Sequence, residues 1–174
     1  MFGCAERRPT RLEIDPKGPF AFDRKAKSLQ LKVAAFDDRN MPITRPLQPS
    51  FRSADSAVAT VDALGTIRPT GSGNTTITVE VMGIETVTQV SVELIGSIAF
   101  GPDTPTEMKL SDPDRPLTMI VKDDKGNPMT ISESAIRFTT SDYCVEVNPP
   151  AVLHPLSIGK CTLFAQAGTA QTKH

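Results

Sequence analysis

The sequence predicts an all-β chain folded as two tandem antiparallel β-sandwich domains, and three observations carry that expectation. Fifteen Pro and eleven Gly stand among 39% hydrophobic residues, a composition that suits many short strands joined by turns and leaves little room for long helices. Thr75 to Val81 alternates, with Thr75, Ile77, Val79 and Val81 on one side and Thr76, Thr78 and Glu80 on the other. That period of two belongs to a half-buried strand. The third observation is repetition: one pattern runs through the chain twice, 86 positions apart.

Leu12-x-Ile14-x-Pro16 returns as Ile98-x-Phe100-x-Pro102, and Leu31, Val33 and Ala35 return as Leu117, Met119 and Val121. Asp37-Asp38 matches Asp123-Asp124, Pro42 matches Pro128 and Thr44 matches Thr130. After one inserted residue, Phe51-x-Ser53-x-Asp55 meets Phe138-x-Thr140-x-Asp142, and Val58 meets Val145. Gly73 then regains the first spacing at Gly159, and Ile77 matches Leu163. The expected organisation is a polar tether over 1–10, a first domain over 11–95 and a second over 96–174. A unit of roughly 86 residues with some seven short strands fits two antiparallel sheets over one core.

Within the first copy, Leu29, Leu31, Val33 and Ala35 are expected to face the core, with Gln30 and Lys32 in water. Asp37 to Asn40, and Asp123 to Asn127 in the second copy, read as polar hairpin loops ahead of Pro42 and Pro128. Val58-Ala59-Thr60-Val61 is a short β-branched strand, and Asp62-Ala63-Leu64-Gly65 a turn in which Gly65 takes a positive φ. Thr66 to Pro69 can be only a brief strand, because Pro69 has no ladder donor. Gly71-Ser72-Gly73 turns the chain into the alternating strand, and Glu85 to Leu94 closes the domain with Val87, Val90 and Val92 among polar residues. The second copy stops at Gln171-Thr172-Lys173-His174, short of that closing strand's length. Either its closing strand is truncated or the chain continues.

The stretch from Phe51 to Val81, FRSADSAVATVDALGTIRPTGSGNTTITVEV, resembles the bacterial immunoglobulin-like domains of group 2, the invasin/intimin type. The matching positions are Ser53, Asp55, Val58, Ala59, Val61, Gly65, Gly71, Gly73 and Ile77. The resemblance implies immunoglobulin-like sandwiches of the kind found in adhesins, phage-tail and cell-surface proteins, as stalks or contact surfaces.

Three cysteines are an odd number. Cys144 and Cys161 fall in the second copy, at positions matching Ala57 and Thr75. The two strands can be neighbours in a sandwich, and a disulfide closing a loop of this length would contribute about 3 kcal/mol on the chain-entropy estimate. The alternative is two small buried thiols that never meet. Cys4 follows Phe2-Gly3, and Gly-Cys after a hydrophobic residue resembles the end of a bacterial lipoprotein signal, where the cysteine is freed and lipidated. Lipid on Cys4 would hold the protein on a membrane, with the polar stretch Glu6 to Thr10 as tether. The alternative is a surface cysteine near the terminus.

No chemistry of an enzyme is visible. His154 and His174 are the two histidines, one at a strand end and one terminal, and no Ser/His/Asp order, nucleophile elbow, HExxH or phosphate loop accompanies them. Zinc would need clustered Cys and His. Asp37-Asp38, Asp123-Asp124 and Asp112-x-Asp114 carry oxygens suited to calcium, yet lack the spacing of a loop that gathers six or more ligands. They read as turn aspartates. No catalytic, cofactor-binding or metal residue is therefore assigned. Net charge is -1 and pI about 6.1, so no basic field exists to hold nucleic acid.

The expected function is that of a non-enzymatic exported protein, periplasmic or at the cell surface and outer-membrane lipid-anchored. It would act as a spacer or as a module for adhesion or protein binding. Its partner would be a protein or a cell-surface component, with no small-molecule substrate. One alternative is a carbohydrate-binding module, disfavoured by the lack of Trp and the single Tyr143. Another is an accessory domain pair of a larger surface enzyme. Two regions are expected to contact a partner. One is the edge at Thr169, Ala170, Gln171 and Thr172, where unpaired backbone groups would accept a strand. The other is the Pro-rich segment with Pro150, Val152 and Leu153, where the second copy departs most from the first.

Overall fold

The computed structural model describes residues 7–174. Cys4 and its lipid-anchor reading lie outside the described residues. The chain divides into two compact units, the first ending at Leu94 and the second running Ile95–His174. Both are built of strands, and a three-residue 3-10 turn, Glu133–Ala135, is the one helical element among the described residues.

The first unit contains β1 (Arg11–Asp15), β2 (Phe20–Phe22), β3 (Leu29–Gln30), β4 (Lys32–Phe36), β5 (Ser50–Ser53), β6 (Ala59–Val61), β7 (Thr66–Pro69), β8 (Gly73–Val81) and β9 (Ile84–Val92). β3 and β4 are one strand broken at Leu31, whose N–H turns to the carbonyl of Gly65 at 2.9 Å. β4 pairs with β1, β3 with β7, and β7 with β6, while β5, β8 and β9 form the other sheet. These are the A-B-E-D and C-F-G arrangements of an immunoglobulin constant-type sandwich. β2 adds a parallel strand outside β9, with Phe20 opposite Val90 and Phe22 opposite Val92.

The second unit contains β10 (Ile95–Phe100), β11 (Arg115–Pro116), β12 (Met119–Asp123), β13 (Arg137–Thr140), β14 (Val145–Asn148), β15 (Val152–Pro155), β16 (Leu163–Ala167) and β17 (Ala170–Lys173). Its pairings repeat the first unit's: β10 with β12, β11 with β15 and β14, and β13 with β16 and β17. One element is missing. The segment 101–114 carries no strand, and β10, which packs beside β17, forms no ladder with it, so no hydrogen-bonded strand takes the place of β2 there.

Alternation explains the first core. Thr75, Ile77, Val79 and Val81 are all buried along β8, and Leu31 and Ala35 are buried on the strand facing it, while Gln30 and Lys32 are exposed. Ile77, Val79, Val90 and Val92 pack with Ile67, Val58 and Leu94, and burying each large apolar side chain stabilises by roughly 1.5–3 kcal/mol. Along the closing strand the three valines do not share one face. Val87 is 55% exposed, and Thr88 is buried in its place. The hairpin sets Thr88, Val90 and Val92 on the inward parity, so Val87 must point out. The second core is smaller, with Ile98, Val121, Ala165 and Ala167 in one cluster and Leu117, Ala151, Leu153 and Leu163 in another.

Short polar side chains set the turns. Asp37 Oδ1 accepts the N–H groups of Arg39 at 3.0 Å and Met41 at 2.8 Å. Asp123 Oδ1 does the same for Lys125 at 2.9 Å and Asn127 at 2.7 Å. Asp62 Oδ1 holds Leu64 N at 3.0 Å and Thr66 N at 2.9 Å, around Gly65 at φ +80°. The Ser53 and Asp55 of the resemblance also have work to do. Ser53 Oγ donates to the carbonyl of Ala59 at 2.7 Å, and Asp55 Oδ1 accepts from Ala57 N at 2.8 Å, closing the link from β5 to β6.

Candidate functional site

The second unit holds most of the residues singled out from the sequence. Cys144 and Cys161 are joined by a disulfide, with Cα atoms 6.1 Å apart. Cys144 immediately precedes β14 and Cys161 lies just before β16, so the bond ties one sheet to the other. The Cys144 carbonyl also accepts the N–H groups of Leu156 at 2.8 Å and Ser157 at 3.3 Å, and Ser157 Oγ donates to the Tyr143 carbonyl at 3.0 Å. Three segments meet at this end. It displays Tyr143 and Ile158, 91% and 93% exposed.

At the edge, Ala170, Gln171 and Thr172 lie in β17, while Thr169 sits in the turn beside Gly168. The ladder from Ala167 opposite Ala170 to Phe164 opposite Lys173 is complete, and Leu163 and His174 exchange hydrogen bonds of 3.0 and 2.9 Å. The closing strand is short, but so is its partner, and their shared side is fully paired. Among the described residues no strand ladder forms on the opposite side of β17, although β10 packs beside it. Around its end the His174 ring lies 5.6 Å from the Phe100 ring, and its Nε2 is 3.3 Å from the Pro105 carbonyl.

The Pro-rich segment turns out to be a tight hairpin. Asn148 pairs with Val152, and Ala151 N–H donates to the Asn148 carbonyl at 3.0 Å, as Gly65 does to Asp62 in the first unit. Pro150 is exposed and Val152 half-buried. Leu153 is only 4% exposed and belongs to the core. The expected partner contact at Leu153 is therefore corrected: its position in β15 points inward, against Leu117 and Leu163.

The aspartates considered for calcium close loops instead. Asp37 and Asp123 hold backbone N–H groups as described, and Asp112 Oδ2 accepts Lys109 N at 2.8 Å. Among the described residues no three acidic, His or Cys side chains gather as a metal site. The Asn127 side-chain amide, followed by backbone N–H groups, lowers the pKa of Asp123. For Asp62 the Arg68 guanidinium comes first and the Thr66 and Leu64 N–H groups follow, bringing it from 3.8 down to about 2.

Sequence reasoning missed one pairing. His154 Nδ1 lies 2.6 Å from Asp114 Oδ1, on a partly exposed surface. Arg115 opposite Leu153 in the β11–β15 ladder brings 114 beside 154, a juxtaposition no local motif signals. No hydroxyl or thiol hydrogen-bonds the His154 ring among the described residues. Also missed was an open groove of about 690 Å³ in the first unit, floored by Leu31, Val33 and Ala35 and walled by Ile43, Leu47 and Phe51.

No protein family matches the chain, nor does any curated protein. Solved structures do show similarity. The S-layer protein rSbsC aligns over 95% of this chain and 27% of its own, at 17% identity and a TM-score of 0.42. Invasin, described as a bacterial integrin-binding protein, aligns over 93% of this chain and 38% of its own, at 17% identity and 0.48. Three N-terminal domains of the highly immunogenic outer capsid protein of bacteriophage RB49 align over 94% and 67%, at 8% identity and 0.46. The chain thus spans about a quarter to two thirds of these proteins. Likeness of this degree carries no argument about partner or activity.

Proposed function

We propose that the protein is a non-enzymatic, exported surface module whose tandem sandwiches act as a spacer and protein-binding unit, held to a membrane by lipid on Cys4. The observation that carries the reading is the Cys144–Cys161 disulfide, which links the two sheets of the second unit. Such bonds persist in oxidising compartments and are rare in reducing ones. Two acyl signals anchor a protein far more firmly than one, and the short stretch ahead of β1 suits a tether. Contact with a protein partner is assigned to β17, at Ala170 to Thr172, whose outer side joins no strand ladder among the described residues.

Fractionation of the native host cells tests the reading. The protein is expected in the membrane fraction, sensitive to protease on intact or osmotically opened cells. Its Cys144 and Cys161 should resist alkylation until reduced, and its Cys4 peptide should carry an acyl mass that Cys4→Ser abolishes. Recovery from the cytosol with free thiols would overturn it. An unmodified Cys4 on an exported protein would remove the anchor alone.

A further inference from the structure

The two units present the same sheet face with opposite charge. On the outer face of the first unit's β5–β8–β9 sheet, one row reads Ser50–Glu80–Glu85 and the next Arg52–Thr78–Val87. The corresponding rows on β13–β16–β17 read Arg137–Gln166–Gln171 and Thr139–Phe164–Lys173. The rows superpose residue for residue through the repeat. Both glutamates have become glutamines, Ser50 has become Arg137, Val87 has become Lys173, and Thr78, at the centre, has become Phe164. In these two rows one face carries two carboxylates and one guanidinium, and the other carries two cations and no acid.

None of Glu80, Glu85, Arg137 and Lys173 is ion-paired among the described residues, and all four are exposed. Glu80 stands directly opposite Glu85, and like charges in that position are destabilising. A cation laid across them would relieve that repulsion. Each face also has an apolar contact to offer, Val87 at 55% exposure on one and Phe164 at 40% on the other. A shallow groove of about 240 Å³ runs past Phe164, lined by Arg137, Thr139, Gln166 and Gln171.

We propose that the acidic sheet face of the first unit binds the basic sheet face of the second unit in another copy of this chain. The contact packs sheet on sheet, with Arg137 and Lys173 over the Glu80–Glu85 pair and Phe164 against Val87. It is heterologous, one patch meeting a different one, so each copy has a donor face and an acceptor face for its neighbours. Three strands give a patch roughly 15 Å on a side, which places the contact in the weak, transient class. It does not use the β17 edge assigned above.

Sedimentation velocity of the whole chain tests the proposal. The natural sequence should show a sedimentation coefficient that rises with concentration. That rise should fade as salt goes from about 0.01 M to about 1 M, over which the screening length falls from about 30 Å to about 3 Å. Glu80→Lys with Glu85→Lys should weaken association at least about tenfold, and so should Arg137→Glu with Lys173→Glu. Mixing the two variants should restore it, because one then carries two basic faces and the other two acidic ones. Replacing Phe164 by Thr, the first unit's own residue at that place, provides a milder variant that weakens association without reversing charge. A chain that stays monomeric at its highest soluble concentration in low salt overturns the proposal. So does association that both charge reversals leave unchanged, an outcome that would instead assign self-pairing to the β17 edge.

Discussion

Replacing Cys144 and Cys161 by alanine, or reducing the bond between them, removes the link between the two sheets of the second unit. The bond spans 17 positions, and closing a loop of that length contributes about 3 kcal/mol on the chain-entropy estimate. That is a large share of what so small a unit has, since a single core below about 80 residues rarely supplies more than about 3–5 kcal/mol. The second unit has little in reserve. The largest side chains below 2% exposure, Ile67, Ile77, Val79, Val81, Val90 and Val92, all belong to the first unit, while Ala165 and Ala167 are the side chains that well sealed in the second. At roughly 4–8 °C per kcal/mol for a domain of this size, the second unit's melting point should fall by about 12–24 °C. Hydrogen exchange read segment by segment, with and without reductant, separates the units. Protection should be lost in β13–β17 and retained in β8 and β9. Unchanged protection of β16 after thiol counting has confirmed reduction would refute the reasoning, as would an equal loss in β8 and β9.

Two further outcomes follow from the turns. The Asp62 carboxyl carbon should titrate by NMR with a midpoint of about 2, because Arg68 and two backbone N–H groups hold its charged form. Its folded pKa lies below the unfolded value of 3.8, so its contribution to stability is complete above that value and is lost as pH falls toward about 2. A midpoint near 3.8 would mean the Arg68 contact is not formed in solution. Gly65→Ala and Gly126→Ala make a matched pair, at φ +80° and +86°. Both should lose about 1–2 kcal/mol for the left-handed backbone. Only the added Cβ at 65 meets anything close, Phe51 Cζ at 2.8 Å and the Leu31 carbonyl at 3.0 Å, so urea denaturation should show Gly65→Ala as clearly the more damaging.

Local chemistry made much of this architecture readable. Thr75 to Val81 states its own parity, because one strand face is buried and the other is not. Asp37, Asp62 and Asp123 declare their turns through side chains that bond the backbone two and four residues on. What escaped depends on partners distant in sequence. Val87 looks like a core residue until the hairpin register with β8 assigns Thr88 inward. Leu153 reads as a divergent loop until the β14–β15 ladder turns it into the core. His154 finds Asp114 only through the β11–β15 ladder, and β2, three residues long, shows its identity only beside β9. The charge inversion between the two sheet faces was present in the repeat all along. It becomes visible only when strand register places residues from three strands in one row.

β2 has a mechanical consequence. It runs parallel to β9, so tension entering ahead of β2 and leaving after β9 pulls the two strands along each other and loads their hydrogen bonds together. Among the described residues the second unit has no such hydrogen-bonded pair. Its closing strand forms a ladder, among those residues, only with β16, antiparallel, and packs beside β10 without one. A chain stretched along its length would let this unit give way first. Even then the disulfide, spanning 17 positions, would withhold roughly 60 Å of its extension.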